Sequence, residues 1–228
     1  MDKSFFVTNV KLGKALLLTV LYILFADFLW RLSFRIPIDL LPINLDVGMV
    51  VYGVALVAGM WYFLRKVVNV TEKLPEESPS KFYLLAVLVG SVFVFIEAAL
   101  NIPFNLVFGT DYGFSLEAPD IMYLADSWTL SMILLVPLAA ELYFRKYLLG
   151  QLQHHYNIRQ AILISAALFA LIHLPYYELL TKPFANPPYT AFMAFFSGLV
   201  AGFLAYRSRS IGPAVVFQWV WHSVATII

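Results

Sequence analysis

The chain has 228 residues, of which 61% are hydrophobic and 13% charged, and its mean hydropathy is +0.80. About a quarter of the residues in an ordinary soluble domain are charged, so this composition predicts a polytopic membrane protein. The 15 Lys and Arg residues nearly balance the 14 Asp and Glu residues and form no basic block, so nucleic acid is not expected as a partner. The absence of cysteine excludes disulfides, thiolate metal sites and a Cys nucleophile.

Apolar runs that can form membrane-spanning helices follow one another along the chain. They cover about residues 14–34, 47–64, 82–108, 128–150, 158–177, 189–206 and 211–228. A crossing needs roughly 20 residues, and the third run contains Pro103 while the last run is short, so either can be broken or interfacial. The expected fold is all-α, a single integral-membrane domain over 1–228 with about seven transmembrane helices and a range of six to eight.

The cations are distributed unevenly between the two sides of this topology. With the N-terminus inside, 12 Lys and Arg residues fall on the cytoplasmic side and 3, Arg31, Arg35 and Lys182, on the other. The loop 109–127, also on that other side, has acidic residues and no base. Because short cytoplasmic loops are enriched in Lys and Arg, we predict a multi-pass cell-membrane protein whose N-terminus is cytoplasmic.

Ionisable side chains inside the apolar runs are the first candidates for a functional site. A charge near the bilayer centre costs about 2.5–3.5 kcal/mol on insertion scales, so such residues are rarely incidental. The candidates are Asp27, Glu97, Glu141, Arg145, His173 and His222, with Asn101, Asn105 and Gln218 as uncharged polar groups.

Glu141 and Arg145 are four residues apart with the acid first, an order that favours an ion pair on one helix face. Two interpretations stay open: the pair neutralises itself so that both residues can be buried, or Arg145 holds Glu141 toward a cavity. A single buried histidine is commonly a packing residue, so His173 and His222 are each open to that interpretation as well. The tryptophans beside His222 are also compatible with an interfacial belt.

The helices that carry Glu141 and His173 can be aligned through the turn between them. If the turn lies at Tyr156 and Asn157, with Asn157 capping the second helix, Glu141 lies 15 residues before Tyr156 and His173 lies 16 after Asn157. An antiparallel hairpin then brings the two side chains to the same depth within about 1.5 Å. The start of the last helix is less certain, so His222 is not placed in this way.

One carboxylate and two imidazoles from three helices suit hydrolysis. The carboxylate can take a proton from water, and neutral imidazoles can bind a divalent metal or donate hydrogen bonds to an oxyanion. Glu141, His173 and His222 also form a possible zinc ligand set, although the H-E-x-x-H motif is absent. The cofactor therefore stays open between zinc and none.

These residues resemble the motifs of the CPBP family of intramembrane proteases, which includes the Rce1-like CAAX prenyl endopeptidases and the Abi proteins. The family motifs are E-E-x-x-x-R, F-x-x-x-H and H-x-x-x-N, each on a separate helix. Here they correspond to Ala140-Glu141-x-x-x-Arg145, Phe169-x-x-x-His173 and His222-x-x-x-Thr226. The resemblance covers about residues 127–228.

The resemblance implies a helical fold with a conical cavity that opens toward the cytoplasmic leaflet. It implies cleavage of a hydrophobic or prenylated peptide or protein near its C-terminus, with membrane lipids as the surroundings. Glu141, His173 and His222 are the implied catalytic residues, and Arg145, Phe169 and Thr226 the supporting ones.

Two positions depart from the family pattern. Ala140 replaces the glutamate that the family is taken to use to activate water, and Glu141 points about 100° away around the helix. Either Glu141 serves in its place, or the protein is inactive, or Ala140 is an engineered replacement. Thr226 replaces asparagine, whose amide has a longer reach and two donor hydrogens, so weaker support of an oxyanion is expected.

Three functions remain from these observations. The first is an intramembrane endopeptidase impaired at Ala140, and the second is a non-catalytic member of the same family that binds hydrophobic peptides. The third is a proton-coupled transporter using Asp27, Glu97 and Glu141, although no repeat of broken helices supports it.

Overall fold

The computed structural model describes residues 10–33, 47–68, 80–113, 127–175 and 188–227, and it confirms an all-α helix bundle. The described helices are α1 Leu12–Ser33, α2 Val47–Tyr62 with a π-helical end Phe63–Val67, α3 Ser80–Phe108, α4 127–152, α5 Ile158–Leu171, α6 Tyr189–Ser208 and α7 Gly212–Ile227. Within the described ranges the helix count is seven, as predicted. The single-domain assignment stays a prediction.

Four of the described helices are long and apolar enough to cross a membrane: Leu12–Ser33, Val47–Lys66, Ser80–Phe108 and Tyr189–Ser208. The apolar helix Ile158–Leu171 has 14 residues, fewer than the roughly 20 that a crossing needs. Seven complete crossings therefore stay a prediction. Of the alternatives left open at Pro103, a broken helix does not occur, because α3 continues through this residue to Phe108.

The fourth helix, α4, lies at the centre of the bundle and alternates between α and π geometry. Its α segment Val136–Glu141 is flanked by π segments Ser131–Leu135 and Leu142–Leu149. Pro137 has no N–H and its ring crowds the preceding turn, which accounts for a widened helix before it. Neighbouring helices bond to carbonyls of both π segments: Trp219 donates to Leu134 at 2.9 Å, and Ser165 donates to Phe144 at 3.1 Å.

The turn between α4 and α5 agrees with the sequence prediction at its start and differs at the far end of α5. Asn157 caps α5, and its side chain accepts a hydrogen bond of 3.0 Å from the Gln160 N–H. The α-helix ends at Leu171, not at 177 as predicted. Pro175 accounts for the difference, because the residue before a proline disfavours helical geometry; residues 176 and 177 lie outside the described part.

Close approach of α5 and α6 depends on small side chains. The buried residues of α6 include Ala194, Ser197, Gly198, Ala201 and Gly202. A Cβ at Gly198 would lie 3.1 Å from the Cα of Ala166 on α5, so glycine is needed for this approach. The same contact brings the backbone of α6 within reach of a side chain from α4.

One end of the bundle collects most of the described cations. The Leu12 N–H donates to the Tyr156 hydroxyl at 3.1 Å, so the start of α1 lies at the α4–α5 turn. Tyr83 contacts Gly212, so the starts of α3 and α7 meet at the same end. The cations in or near these segments are Lys11, Lys14, Arg65, Lys66, Lys81, Lys146, Arg159, Arg207 and Arg209. We call this the cationic end; among the described residues, Arg31 is the cation at the opposite end.

Candidate active site

A cavity of about 450 Å³ lies between α1, α2, α4, α5, α6 and α7. Glu141, His173 and His222 all line it, and so do Ala140 and Phe169. The structure therefore brings side chains from three separate helices to one cavity, the arrangement that the alignment of α4 with α5 predicts for the first two. The walls are mainly apolar.

The Glu141 carboxylate is fully buried and only partly bonded. Its Oε1 lies 3.1 Å from Nη1 of Arg145, one helical turn later, and 3.5 Å from Nε2 of Gln218 on α7. Among the described residues, its Oε2 has no hydrogen-bond partner. One carboxylate oxygen therefore contacts side chains of the protein, and the other is buried without a hydrogen-bond partner among the described residues.

Arg145 connects α4 to both neighbouring helices. Its Nη2 donates to the Gly198 carbonyl on α6 at 3.0 Å, and its guanidinium carbon lies 4.5 Å from the centre of the Phe169 ring on α5. The Nη1 contact with Glu141 has ion-pair distance, but the N–H is not aligned for a hydrogen bond. Because Arg stays protonated in proteins, the pair neutralises the charge of Glu141, and Arg145 also fixes the packing of three helices.

The spacing of Phe169 and His173 has a direct structural reason. The Nδ1 atom of His173 lies 2.9 Å from the Phe169 carbonyl, which can only accept, so Nδ1 carries the hydrogen. The helix ends here, and the His173 N–H bonds to Ala170 at 3.0 Å, which leaves the Phe169 carbonyl for the imidazole. In the neutral ring Nε2 then has a free lone pair, so His173 is set to accept a proton or hydrogen bond.

His222 is positioned by the tryptophan that precedes it. The two rings stack with centroids 4.4 Å apart, and the Trp221 indole N–H donates to Glu97 on α3 at 3.0 Å. The indole N–H of Trp219 bonds to α4. Both tryptophans therefore bond to other helices of the bundle, and an interfacial belt stays a prediction.

Ala140 and Thr226 contribute no polar group to the cavity. Ala140 lies in the cavity wall, where its methyl group stands in place of the first carboxylate of the family motif. The Thr226 hydroxyl donates to the His222 carbonyl of its own helix at 2.8 Å, and within the described part of the chain Thr226 is not a cavity residue. Its proposed support of an oxyanion is thus not favoured by this arrangement.

The cavity also contains polar side chains that the sequence did not group with Glu141, His173 and His222, although Asp27 and Gln218 were among the candidates. Gln218 lies one helical turn before His222 and contacts Glu141, while Tyr22, Asp27 and Tyr52 come from α1 and α2. The spacing of Gln218 from His222 was a usable signal. Nothing local in the sequence shows that α1 and α2 close the cavity, because that depends on packing between distant segments.

The donor atoms of Glu141, His173 and His222 bear on the zinc prediction. Among the described residues, no group of three His, Asp or Glu side chains is arranged to hold a metal ion. Oε2 of Glu141 has no hydrogen-bond partner there, and a carbonyl bond at Nδ1 is common in metal-binding histidines, so neither residue excludes zinc. Zinc at this site stays a prediction.

The cavity occupies the half of the bundle away from the cationic end. At 1.5 Å per residue, Glu141 and His222 lie roughly 15–17 Å along their helices from that end, whereas Trp30, another wall residue, lies about 27 Å from the start of α1. If the cationic end is cytoplasmic, the cavity extends toward the other side. The cytoplasmic N-terminus and the opening of the cavity toward the cytoplasmic leaflet both stay predictions.

Comparison with family models places the same helices in a known group. Residues 125–224 match the model described as type II CAAX prenyl endopeptidase Rce1-like. Searches of curated proteins and of solved structures each gave no match. The matched segment contains α4, α5, α6 and most of α7, and so contains Glu141, His173 and His222. Over these residues, which make up less than half of the chain, the protein is similar to the Rce1-like CAAX prenyl endopeptidases, a family of membrane peptidases.

Proposed function

We propose that the protein binds the C-terminal part of a hydrophobic or prenylated peptide in the central cavity and hydrolyses it slowly. The observation that carries this proposal is the meeting of Glu141, His173 and His222 in one cavity with apolar walls. A ligand with a lipid or apolar chain gains about 25 cal/mol for each Å² of apolar surface that leaves water. The carboxylate and imidazoles supply the polar groups that a peptide bond needs.

The hydrolysis uses residues of the protein alone. Oε2 of Glu141 accepts a proton from water as the water oxygen bonds to the peptide carbonyl carbon. A neutral His222 donates a hydrogen bond to the carbonyl oxygen as it becomes negative, while His173 holds the water through its free Nε2. The C–N bond then breaks, and the leaving nitrogen takes the proton from Glu141.

Ala140 makes this reaction slow. The attacking water must lie near 3 Å from its base, and Glu141 is held on one side by Arg145. A carboxylate at position 140 would reach the cavity from a different part of the helix surface. A positioned general base contributes about 10²- to 10⁴-fold to rate, so we expect Ala140→Glu to raise cleavage by a factor in this range.

A peptide-binding role without catalysis is the second candidate. It is favoured by the same position, because Ala140 has no proton acceptor and Glu141 is already paired. Binding and cleavage must therefore be measured separately.

The experiment compares the parent, Ala140→Glu and Ala140→Gln on a fluorescent prenylated peptide. Cleavage should rise strongly for Ala140→Glu and stay at the parent level for Ala140→Gln, which has similar size without a base. Adding His173→Ala to Ala140→Glu should abolish the gain. Efficient cleavage by the parent with no gain from Ala140→Glu would identify Glu141 as a sufficient base. Binding without cleavage in every variant would favour the second candidate.

A further inference from the structure

A second pocket lies at the cationic end, separate from the central cavity. Its volume is about 440 Å³, and it is formed by the turn after α4 and the last residues of α6. Gln153, Tyr206, Arg207 and Arg209 supply its polar side chains. It shares no residue with the central cavity, so the proposed peptidase reaction gives it no role.

The pocket carries positive charge that the described part of the protein does not neutralise. Arg207 and Arg209 are exposed, and the described ion pairs are Arg31 with Asp27 and Arg145 with Glu141. The carbonyl end of α6 disfavours an anion by itself. Binding of an anion would therefore depend on the two guanidinium groups, with Gln153 and Tyr206 as uncharged donors.

The backbone at Arg209 is a second, independent observation. Arg209 has φ 54° and ψ 26°. Among the described residues, it is the one residue other than glycine whose φ is positive. Glycine is the usual residue where a helix ends in this left-handed conformation, because any Cβ is crowded there. The turn is also fixed by Ser208, whose hydroxyl oxygen accepts a hydrogen bond of 3.2 Å from the Ser210 N–H. A long cationic side chain is thus retained at a position where glycine fits better.

We propose that this pocket binds the phosphate group of an anionic membrane lipid. Guanidinium groups match phosphate with paired hydrogen bonds, and two of them in one pocket supply the charge that a phosphodiester requires. The pocket lies at the end of α6, a helix long enough to cross a membrane. This position corresponds to the depth of the lipid headgroups. Basic pockets between helix ends bind anionic headgroups in this way, and Tyr206 is a residue type enriched at that level.

The test uses the full-length protein in detergent and measures thermal stabilisation by a short-chain phosphatidylglycerol. The variants are Arg207→Gln and Arg209→Gly, with Arg159→Gln as the matched control because Arg159 is exposed nearby and is not a pocket residue. Arg209→Gly keeps the left-handed turn, so its melting temperature without lipid should equal or exceed that of the parent. Each pocket variant should weaken the apparent lipid affinity at least tenfold, and the control should not.

Three results would overturn the proposal, the third of them from a titration of inorganic phosphate. The first is an unchanged lipid response in both pocket variants. The second is an equal loss in Arg159→Gln, which would show attraction by surface charge in general. Inorganic phosphate is titrated in parallel: if it stabilises the parent as strongly as the lipid at equal concentration and loses this effect in the pocket variants, the occupant is a soluble phosphate and the lipid assignment is wrong. Phosphatidylcholine, which has the phosphate without net negative charge, should stabilise all forms equally.

Discussion

Removing the charge of Arg145 should destabilise the whole bundle. The variant Arg145→Met keeps an unbranched side chain but loses the ion pair with Glu141 at 3.1 Å and the hydrogen bond to Gly198 at 3.0 Å. Both charged side chains are fully buried, so Glu141 would remain as an unpaired charge. Breaking a buried pair in this way costs about 3–5 kcal/mol.

This cost predicts a measurable change in melting temperature. For a chain of this size each kcal/mol corresponds to about 2–4 °C, so Arg145→Met should lower the melting temperature by about 6–20 °C. The measurement is thermal unfolding in detergent followed by circular dichroism at fixed ionic strength. Arg159→Met, which removes an exposed cation from α5, is the control and should stay close to the parent.

A double variant separates the charge effect from packing. Glu141→Gln with Arg145→Met removes both charges, so it should recover most of the loss if the unpaired carboxylate causes it. A melting temperature equal to that of the parent in Arg145→Met alone would refute the structural role. If activity is then also lost, Arg145 acts in the site and not in holding the helices.

Two further predictions concern α3 and the orientation of the bundle. Glu97→Leu leaves the Trp221 indole N–H without its acceptor and should lower the free energy of unfolding by about 1–3 kcal/mol. Glu97→Gln keeps an acceptor and is the control. Equal melting temperatures for the two variants would contradict a role for this hydrogen bond. Since the chain has no cysteine, Arg159→Cys and Asp111→Cys can be tested singly with an impermeant maleimide on intact cells. Labelling of Asp111→Cys alone is expected from the cation distribution, and labelling of Arg159→Cys alone would place the cationic end outside.

The helices were predictable because each is a long apolar run, and their ends were predictable only where a local signal exists. Asn157 caps α5 because its side chain can accept a backbone N–H, which is visible in the sequence. The earlier end of α5 follows from Pro175. The π segments of α4 were not predictable, because their exposed carbonyls are bonded by Trp219 and Ser165 from helices far along the chain.

The members of the site were predictable to a similar degree. Glu141, His173 and His222 were identifiable because ionisable groups are costly inside apolar helices. The bond of Thr226 to its own helix depends on a rotamer that its residue type does not determine. The inclusion of Tyr22 and Tyr52 in the cavity wall depends on how α1 and α2 pack against α4, which no local pattern encodes.

Charge balance predicts how a carboxylate at position 140 would change the cavity. The charged residues of the cavity wall are Asp27 and Glu141, and each lies within 3.1 Å of an arginine. With Ala140, these two carboxylates and their arginine partners therefore sum to no net formal charge when the histidines are neutral, and an apolar peptide can enter without displacing a charge. A glutamate at 140 would add a carboxylate with no arginine of its own, so it would bind water or a protonated imidazole. Ala140→Glu would thus supply a proton acceptor. It would also make a water-free cavity less favourable, because a buried unpaired carboxylate is stable only when water or a protonated imidazole binds it.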